Sequence, residues 1–338
     1  MIDIIKTKEA WEEVLDSCKS FDFYHTYDYH ELSKNEGETP LLISFKKNDT
    51  VIALPLLLRN IDGTDYKDAT SVYGHCGPIS NEVSVPENAN DFHSELTSYF
   101  ESEKIVAVFS RLNPYIPFQD EILGGLGSLS TIGNMVNIDL TKDLDAQRSA
   151  YRRDTRSRVN KVRRLCSVRK AESKEDIQQF IDIYLETMEK LEANDSYFFE
   201  NKYFFDFLDC DGFETDILLA VLNETEEVIA GTMFVKTNNI IQYHLSGTKN
   251  EHFRVAPSRL LLDEMRIKGT EKGYTYFNLG GGYNGKDDAL FSFKSSFSDD
   301  TKVFKAWKFI VNQNIYDELS RKVKTSDTEF FPIYRAPK

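Results

Sequence analysis

The chain has 338 residues, a formal charge of −14 at neutral pH, and 41% apolar and 13% aromatic residues. That length suits two domains of about 150 residues each, and the composition excludes a disordered chain and a general nucleic-acid coat. The longest apolar runs, such as Val51 to Leu58, fall well short of the roughly 20 residues that span a bilayer, and the opening MIDIIKTKEAWEEVL has no signal-peptide core, so a cytoplasmic protein without a transmembrane segment is expected.

From the N-terminus, helical spacing of apolar residues predicts helices near Ala10 to Ser17 and Asp28 to Lys34. A hairpin follows, Leu41 to Phe45 with Val51 to Leu58, then a third strand ending in the loop GHCGP, a helix near Phe92 to Phe100 and a strand from Ile105 to Ser110. Between Arg148 and Lys170 ten Lys/Arg stand against one Asp, so this segment carries +9 in an otherwise acidic protein. Read as one helix, it places Arg148, Arg152, Arg156 and Arg163 within about 80 degrees of one another. Such a stripe can follow a phosphate backbone, tRNA being one candidate, and a solvated helix is the competing reading.

The C-terminal half is clearer. Ser173 with Asp176 three residues on predicts a helix start, carried forward by Ile177, Phe180, Ile181, Tyr184, Leu185 and Met188. A shorter helix is expected at Asn201 to Leu208, then strands Asp216 to Leu222, Val228 to Lys236 and Ile240 to Gly247. Pro257 opens a helix that Gly273 stops. A strand from Tyr274 to Leu279, a glycine cluster, a short helix bearing Lys294, a strand from Val303 to Val311 and a last helix complete the order. TPLLISFKKNDTVIALPLLL and TDILLAVLNETEEVIAGTMF can be laid over one another, so two copies of one α/β unit are expected. The divisions expected are 1–147, a basic connecting helix 148–170, a second unit 171–325 and a tail 326–338.

Chemistry concentrates near Gly280, Gly281 and Gly282, where a buried strand runs out into backbone that a ligand can approach closely. This run does not match GxGxxG, and a bulge closing the strand is an equal reading. Asn278 and Asn284 could donate hydrogen bonds there. His75, in YGHCGP, is a candidate general base or a structural histidine. Cys18, Cys76, Cys166 and Cys210 show no ligand spacing, so reduced thiols and no metal are expected. Among the motifs no nucleophile and base stand together, which favours direct attack by an acceptor amine over a covalent acyl-enzyme.

The order of elements in the second half resembles that of GNAT acyltransferases. Two such units, with Tyr243 on a third strand, Pro257 at the head of the long helix, the run FNLGGG and the segment FSFKSSF, resemble the Fem family of peptidoglycan-bridge aminoacyltransferases. The resemblance implies two tandem GNAT-like units, each a mixed central sheet flanked by helices, in the α/β (α+β) class. It implies an N-acyltransferase forming an amide on an amine of a cell-envelope precursor, with aminoacyl-tRNA or acyl-CoA as donor, no tightly bound cofactor, and peripheral contact with a membrane-bound precursor. A non-catalytic ligand-binding protein is the rival of another class. By the same resemblance Lys294 assists acyl transfer as an oxyanion-stabilising cation, Tyr243 lines that site with Gly281 and Gly282, and Lys34 holds the precursor's phosphates. Arg152, Arg156 and Arg163 are the tRNA or phosphate candidates. The stretch HFRVAPSRLLLDEM lacks the glycines that receive pyrophosphate in acetyl-CoA-dependent relatives, although Arg254 remains a candidate phosphate contact.

Overall fold

The computed structural model describes residues 1–323 and 330–337. The chain divides into two compact units, Met1–Ile132 with Val303–Lys338, and Gly133–Lys302.

The first unit opens with β1 (Ile2–Ile5), α1 (Lys8–Ser17), α2 (Tyr27–Ser33), β2 (Glu38–Lys47), β3 (Thr50–Asn60), β4 (Lys67–Thr70), β5 (Ile79–Ser80), α3 (Ala89–Ser102), β6 (Ile105–Arg111) and α4 (Gln119–Leu123). The chain passes into the second unit along β7 (Ser128–Asp139). There it forms α5 (Leu144–Ser149), α6 (Arg153–Leu165), β8 (Cys166–Lys170), α7 (Lys174–Lys190), α8 (Asn201–Leu208), β9 (Glu214–Leu222), β10 (Val228–Thr237), β11 (Ile240–Thr248), α9 (Ser258–Glu271), β12 (Tyr276–Gly280) and α10 (Ala289–Lys294). It returns along β13 (Thr301–Ile310) and ends the regular structure with α11 (Gln313–Arg321).

Each unit carries a mixed sheet with helices packed on it. In the first the order is β1-β2-β3-β4-β6-β13, and the β4–β6 pair is parallel. In the second it is β7-β12-β11-β10-β9-β8, with β11 and β12 parallel and the other neighbours antiparallel. β10 is buried along its whole length, as a central strand covered on both faces must be. Its floor is closed by Ile229, Phe234, Leu260, Leu261, Met265 and Phe277. Ser173 caps α7 as its sequence promises, its Oγ accepting from the Asp176 N–H at 3.1 Å.

Three sequence expectations change. The basic stretch is not one helix: Arg152 adopts extended backbone (φ −57, ψ 147) between α5 and α6, and Cys166–Lys170 pairs antiparallel with β9. The break follows from Tyr151, an apolar ring that a solvated helix cannot bury; it is 2% exposed, with its hydroxyl donating to Asp263 Oδ1 at 2.9 Å. The strand after Val303 belongs to the first unit, where Ala306–Ile310 pairs with β6 and Trp307 fills that unit's core, donating to the Leu126 carbonyl at 2.6 Å. β7, whose residues Val136–Asp139 pair with β12, carries no clear period and escaped the sequence reading. These exchanges place the second unit at 133–302 rather than 171–325. Of the expected tail, 326–329 and 338 lie outside the described residues. Arg335 fastens its remainder, donating to Asp68 Oδ2 at 2.9 Å and to the Asn60 carbonyl at 2.6 Å.

Candidate active site

The second unit has an opening built into its sheet. β11 and β12 pair in parallel from Ile240↔Tyr276 to Gln242↔Asn278, where pairing ends although β11 runs on to Thr248. On its other side β11 shifts register against β10 between Met233↔Leu245 and Phe234↔Tyr243, leaving His244 without an opposite residue. Such a bulge re-aims side chains and ends regular pairing. The last rung before the opening is held by side chains: Asn278 Nδ2 donates to Gln242 Oε1 at 2.7 Å, and Asn278 Oδ1 accepts from the Gly280 N–H at 2.7 Å.

Lys294 stands at this opening. It is the last residue of α10, only 8% exposed, and its Nζ donates to the Gly281 carbonyl at 2.7 Å. The ammonium lies 5.9 Å from the centre of the Tyr243 ring, within cation–π range. Burial pushes its pKa down from 10.5 to about 8, with the Asp288 charge acting in the opposite sense. Gly280 is required here twice over. Its φ of +79° suits glycine, and a Cβ would stand 2.9 Å from the Lys294 Nζ. A Cβ on Gly282 would lie 2.0 Å from the Lys286 carbonyl, so that backbone must also be bare.

Asp288 holds the loop and the helix together. Its Oδ1 accepts from the Phe291 N–H and its Oδ2 from the Tyr283 N–H, both at 2.8 Å, and these N–H groups keep its carboxyl below the usual range. Burial raises the Tyr243 phenol, so that it stays neutral and serves as an aromatic wall with a hydroxyl at its tip. The structure therefore brings Lys294, Tyr243, Gly281 and Gly282 into one site.

The other sequence candidates lie elsewhere. Lys34 is exposed in the first unit and pairs with Glu31 at 2.6 Å, one helical turn away. His75 is half-buried in that unit, edge-on to the Phe304 ring at 4.8 Å. Arg254 is exposed in the turn before α9. The three candidate phosphate-binding arginines part company. Arg163 donates to Asp263 Oδ2 at 2.8 Å and pairs with Glu264, an internal role that occupies its guanidinium. Arg156 donates to the Ser149 carbonyl at 3.2 Å, and exposed Arg152 reaches the Ser295 hydroxyl at 3.1 Å.

Sequence reasoning named Asn278 as a donor but missed Asp288, Gln242 and the role of Arg259. Asp288 precedes the helix bearing Lys294 and is a recognisable N-cap type. The Gln242–Asn278 clamp has no linear signal, because its halves come from different strands. Arg259, in the first turn of α9, donates to the Thr155 hydroxyl at 3.0 Å and the Ser296 hydroxyl at 3.1 Å, and its guanidinium lies 4.9 Å from the Phe293 ring. Burial and the charge of Arg158 depress its pKa. Among the described residues Glu227, Glu251 and His252 form the group with metal-ligand potential, and Lys249 pairs with Glu227 at 2.5 Å.

Comparison with known proteins agrees with this geometry. Residues 149–294 match the family model of the acetyltransferase (GNAT) domain, a match that ends on Lys294. No curated protein matches the sequence. The crystal structure of FemX superposes with a TM-score of 0.74 at 15% identity, covering 94% of this chain and 99% of that one. L-PGS from Bacillus licheniformis gives 0.58 at 13% identity, with 98% and 96% covered. The C-terminal domain of a putative lysylphosphatidylglycerol synthetase from Agrobacterium fabrum gives 0.56 at 14% identity, with 91% and 92% covered. The chain has the tandem GNAT fold, and its residues 149–294 match the acetyltransferase (GNAT) domain.

Proposed function

We propose that the protein is an N-acyltransferase that joins an activated acyl group, carried as aminoacyl-tRNA, to an amine of a cell-envelope precursor such as a peptidoglycan stem peptide or a carrier-linked amino sugar. The observation that carries this reading is the buried ammonium of Lys294, held on the Gly281 carbonyl at the mouth of the β11/β12 opening. Amide formation from an ester has one demanding moment, when the amine nitrogen has attacked the carbonyl carbon and its oxygen bears the charge. A fixed cation in a site of low dielectric stabilises that oxyanion, and removing such a donor costs about 100 to 1000-fold in rate. The C–O bond to the carrier then breaks. The proton lost by the amine ends on the departing hydroxyl, with Lys294 as the proposed relay.

The carrier is proposed as tRNA because Arg152, Arg153, Arg158, Lys161 and Arg164 remain exposed on and beside α6 after Arg148 and Arg163 have been taken up by Asp263. One observation favours an acyl thioester instead. Arg259, at the head of α9, has two hydroxyls for partners where a structural arginine of its burial would normally find a carboxylate, and a phosphate of coenzyme A would suit it. A donor screen separates the two. Purified protein and an extract of envelope precursors receive either charged tRNA or a panel of acyl-CoA thioesters, and the acceptor is read by its mass shift. A shift with charged tRNA that disappears in Lys294→Ala supports the leading reading. A shift with thioesters alone overturns the tRNA assignment, and no shift with either donor overturns both.

A further inference from the structure

The second unit has a pocket at the far end of its sheet from Lys294. Its free volume is about 270 Å³, just below the range of roughly 300–1,000 Å³ seen for drug-sized ligands, so it suits a compact molecule. Tyr274, which precedes β12, lines it, whereas Gly280 closes the other end of the strand. At about 3.3 Å per residue, the length of β12 keeps the two sites roughly 15 Å apart.

Four lysines converge on this pocket: Lys170 from β8, Lys236 from β10, and Lys268 and Lys272 from the end of α9. Two carboxylates answer them. Asp216 pairs with Lys236 at 2.5 Å and with Lys170, and Glu214 pairs with Lys236. Lys236 is 2% exposed and is fully committed to this pair of acids. Lys272 approaches Glu214 only at 3.9 Å with both side chains more than half exposed, and Lys268 makes no ion pair among the described residues. Four positive charges against two negative ones leave the pocket with a net charge of about +2. A helix C-terminus accounts for a lysine in its last turn. It does not account for Lys170 and Lys236 arriving from two strands, nor for a cavity between them and the helix.

We propose that this pocket is a second ligand site, distinct from the acyl-transfer site, and that it takes a small polyanion: a compact molecule bearing a phosphate group or two to three carboxylates. Lys268 and Lys272, one turn apart on the rim of α9, supply the unspent cations. The Lys170–Asp216–Lys236–Glu214 network, buried at Lys236 and Asp216, fixes the wall against which the ligand rests. The Tyr274 hydroxyl stays protonated, since burial and then Glu214 and Asp216 raise its pKa, and so offers a donor to the anion.

Titration calorimetry on the full chain at constant ionic strength tests this, with pyrophosphate and tricarballylate as probes. Saturable one-to-one binding of either is expected, the better probe identifying phosphate or carboxylate as the group recognised. Lys268→Gln with Lys272→Gln, which changes only rim side chains, is expected to weaken binding at least tenfold. Arg153→Gln with Arg158→Gln on α6, and Lys294→Ala, are expected to leave it unchanged. Absence of saturable binding by both probes overturns the proposal. So does binding that survives the Lys268/Lys272 change or is lost with the α6 pair or with Lys294→Ala.

Discussion

Lys294 combines burial with a single strong acceptor, and this sets the pH behaviour of the proposed chemistry. If the ammonium form stabilises the oxyanion, activity is present while Lys294 is protonated and lost as pH rises through about 8, falling tenfold per unit beyond it. Ionisation of the acceptor amine shapes the acid side of the same profile. Lys294→Ala is expected to lower kcat/KM by about 100 to 1000-fold and to remove the limb near pH 8, measured by acyl transfer across pH 6 to 10. A limb unchanged in that variant would assign the titration to another group. Gly280→Ala tests the same atom from the backbone side. The added methyl meets Nζ at 2.9 Å and must adopt φ near +79°, a left-handed conformation costing roughly 1–2 kcal/mol. A variant that folds yet transfers slowly, with KM little altered, is the expected outcome, because the displaced ammonium serves the transition state rather than substrate binding.

At the scale of elements, α9 is held to α5 and α6 by one carboxylate. Asp263 is fully buried and meets Arg148 at 2.9 Å, Arg163 at 2.8 Å and Arg266 at 3.0 Å, with the Tyr151 hydroxyl at 2.9 Å. Burial works against its charge, but the charges of Arg266 and Arg148 outweigh it and hold the carboxyl below its usual range. Asp263→Asn leaves the buried Arg266 guanidinium without its countercharge, so a loss of about 3–5 kcal/mol is expected in urea unfolding. Glu264→Gln, which removes only the outer partner of Arg163, should cost at most about 1 kcal/mol. A similar loss in both variants would show that Asp263 is not the keystone. The same cluster marks what the sequence could and could not disclose. Periodicity and turn signals located α7, α8, α9 and β9 to β11 to within two residues. The stretch 148–170 deceived it because charge density hid Tyr151 and Val159, the residues that decide its packing. Lys294 and Tyr243 were picked out through the family resemblance, and the glycines through their place at the end of a buried strand. The Gln242–Asn278 clamp and the pairing of Arg163 with Asp263 depend on neighbours distant in the chain, which no window of sequence contains.

At the scale of the whole molecule, three histidines tie stability to pH in both units. His25 and His30 are fully buried in the first unit and His244 lies in the second. Burial pushes their pKa values down to about 4, 3 and 4 respectively. Each native ring is therefore neutral at a pH where the unfolded chain, with an ordinary value near 6.5, has begun to take up a proton. The sign follows: stability is fully present above about 6.5 and falls as pH drops from there toward 4, because the unfolded state binds more protons in that window. With all three rings contributing, the slope approaches about 1.4 kcal/mol per pH unit per histidine. Urea unfolding of the full chain at pH 7, 6 and 5 measures it. His244→Phe keeps an aromatic ring against Phe207, whose centre lies 5.1 Å from that of His244, and removes one titrating group. Its stability should fall less steeply than that of the parent by about one proton's worth across the window. His25 caps its own turn through Asp22 and reaches the Cys76 carbonyl at 3.2 Å, so its protonation disturbs both contacts. The first unit is thus expected to open earlier on acidification, and hydrogen exchange at pH 5 should show protection lost in β3 and α2 before it is lost in β10. The reverse order would place the acid-sensitive step at His244 instead.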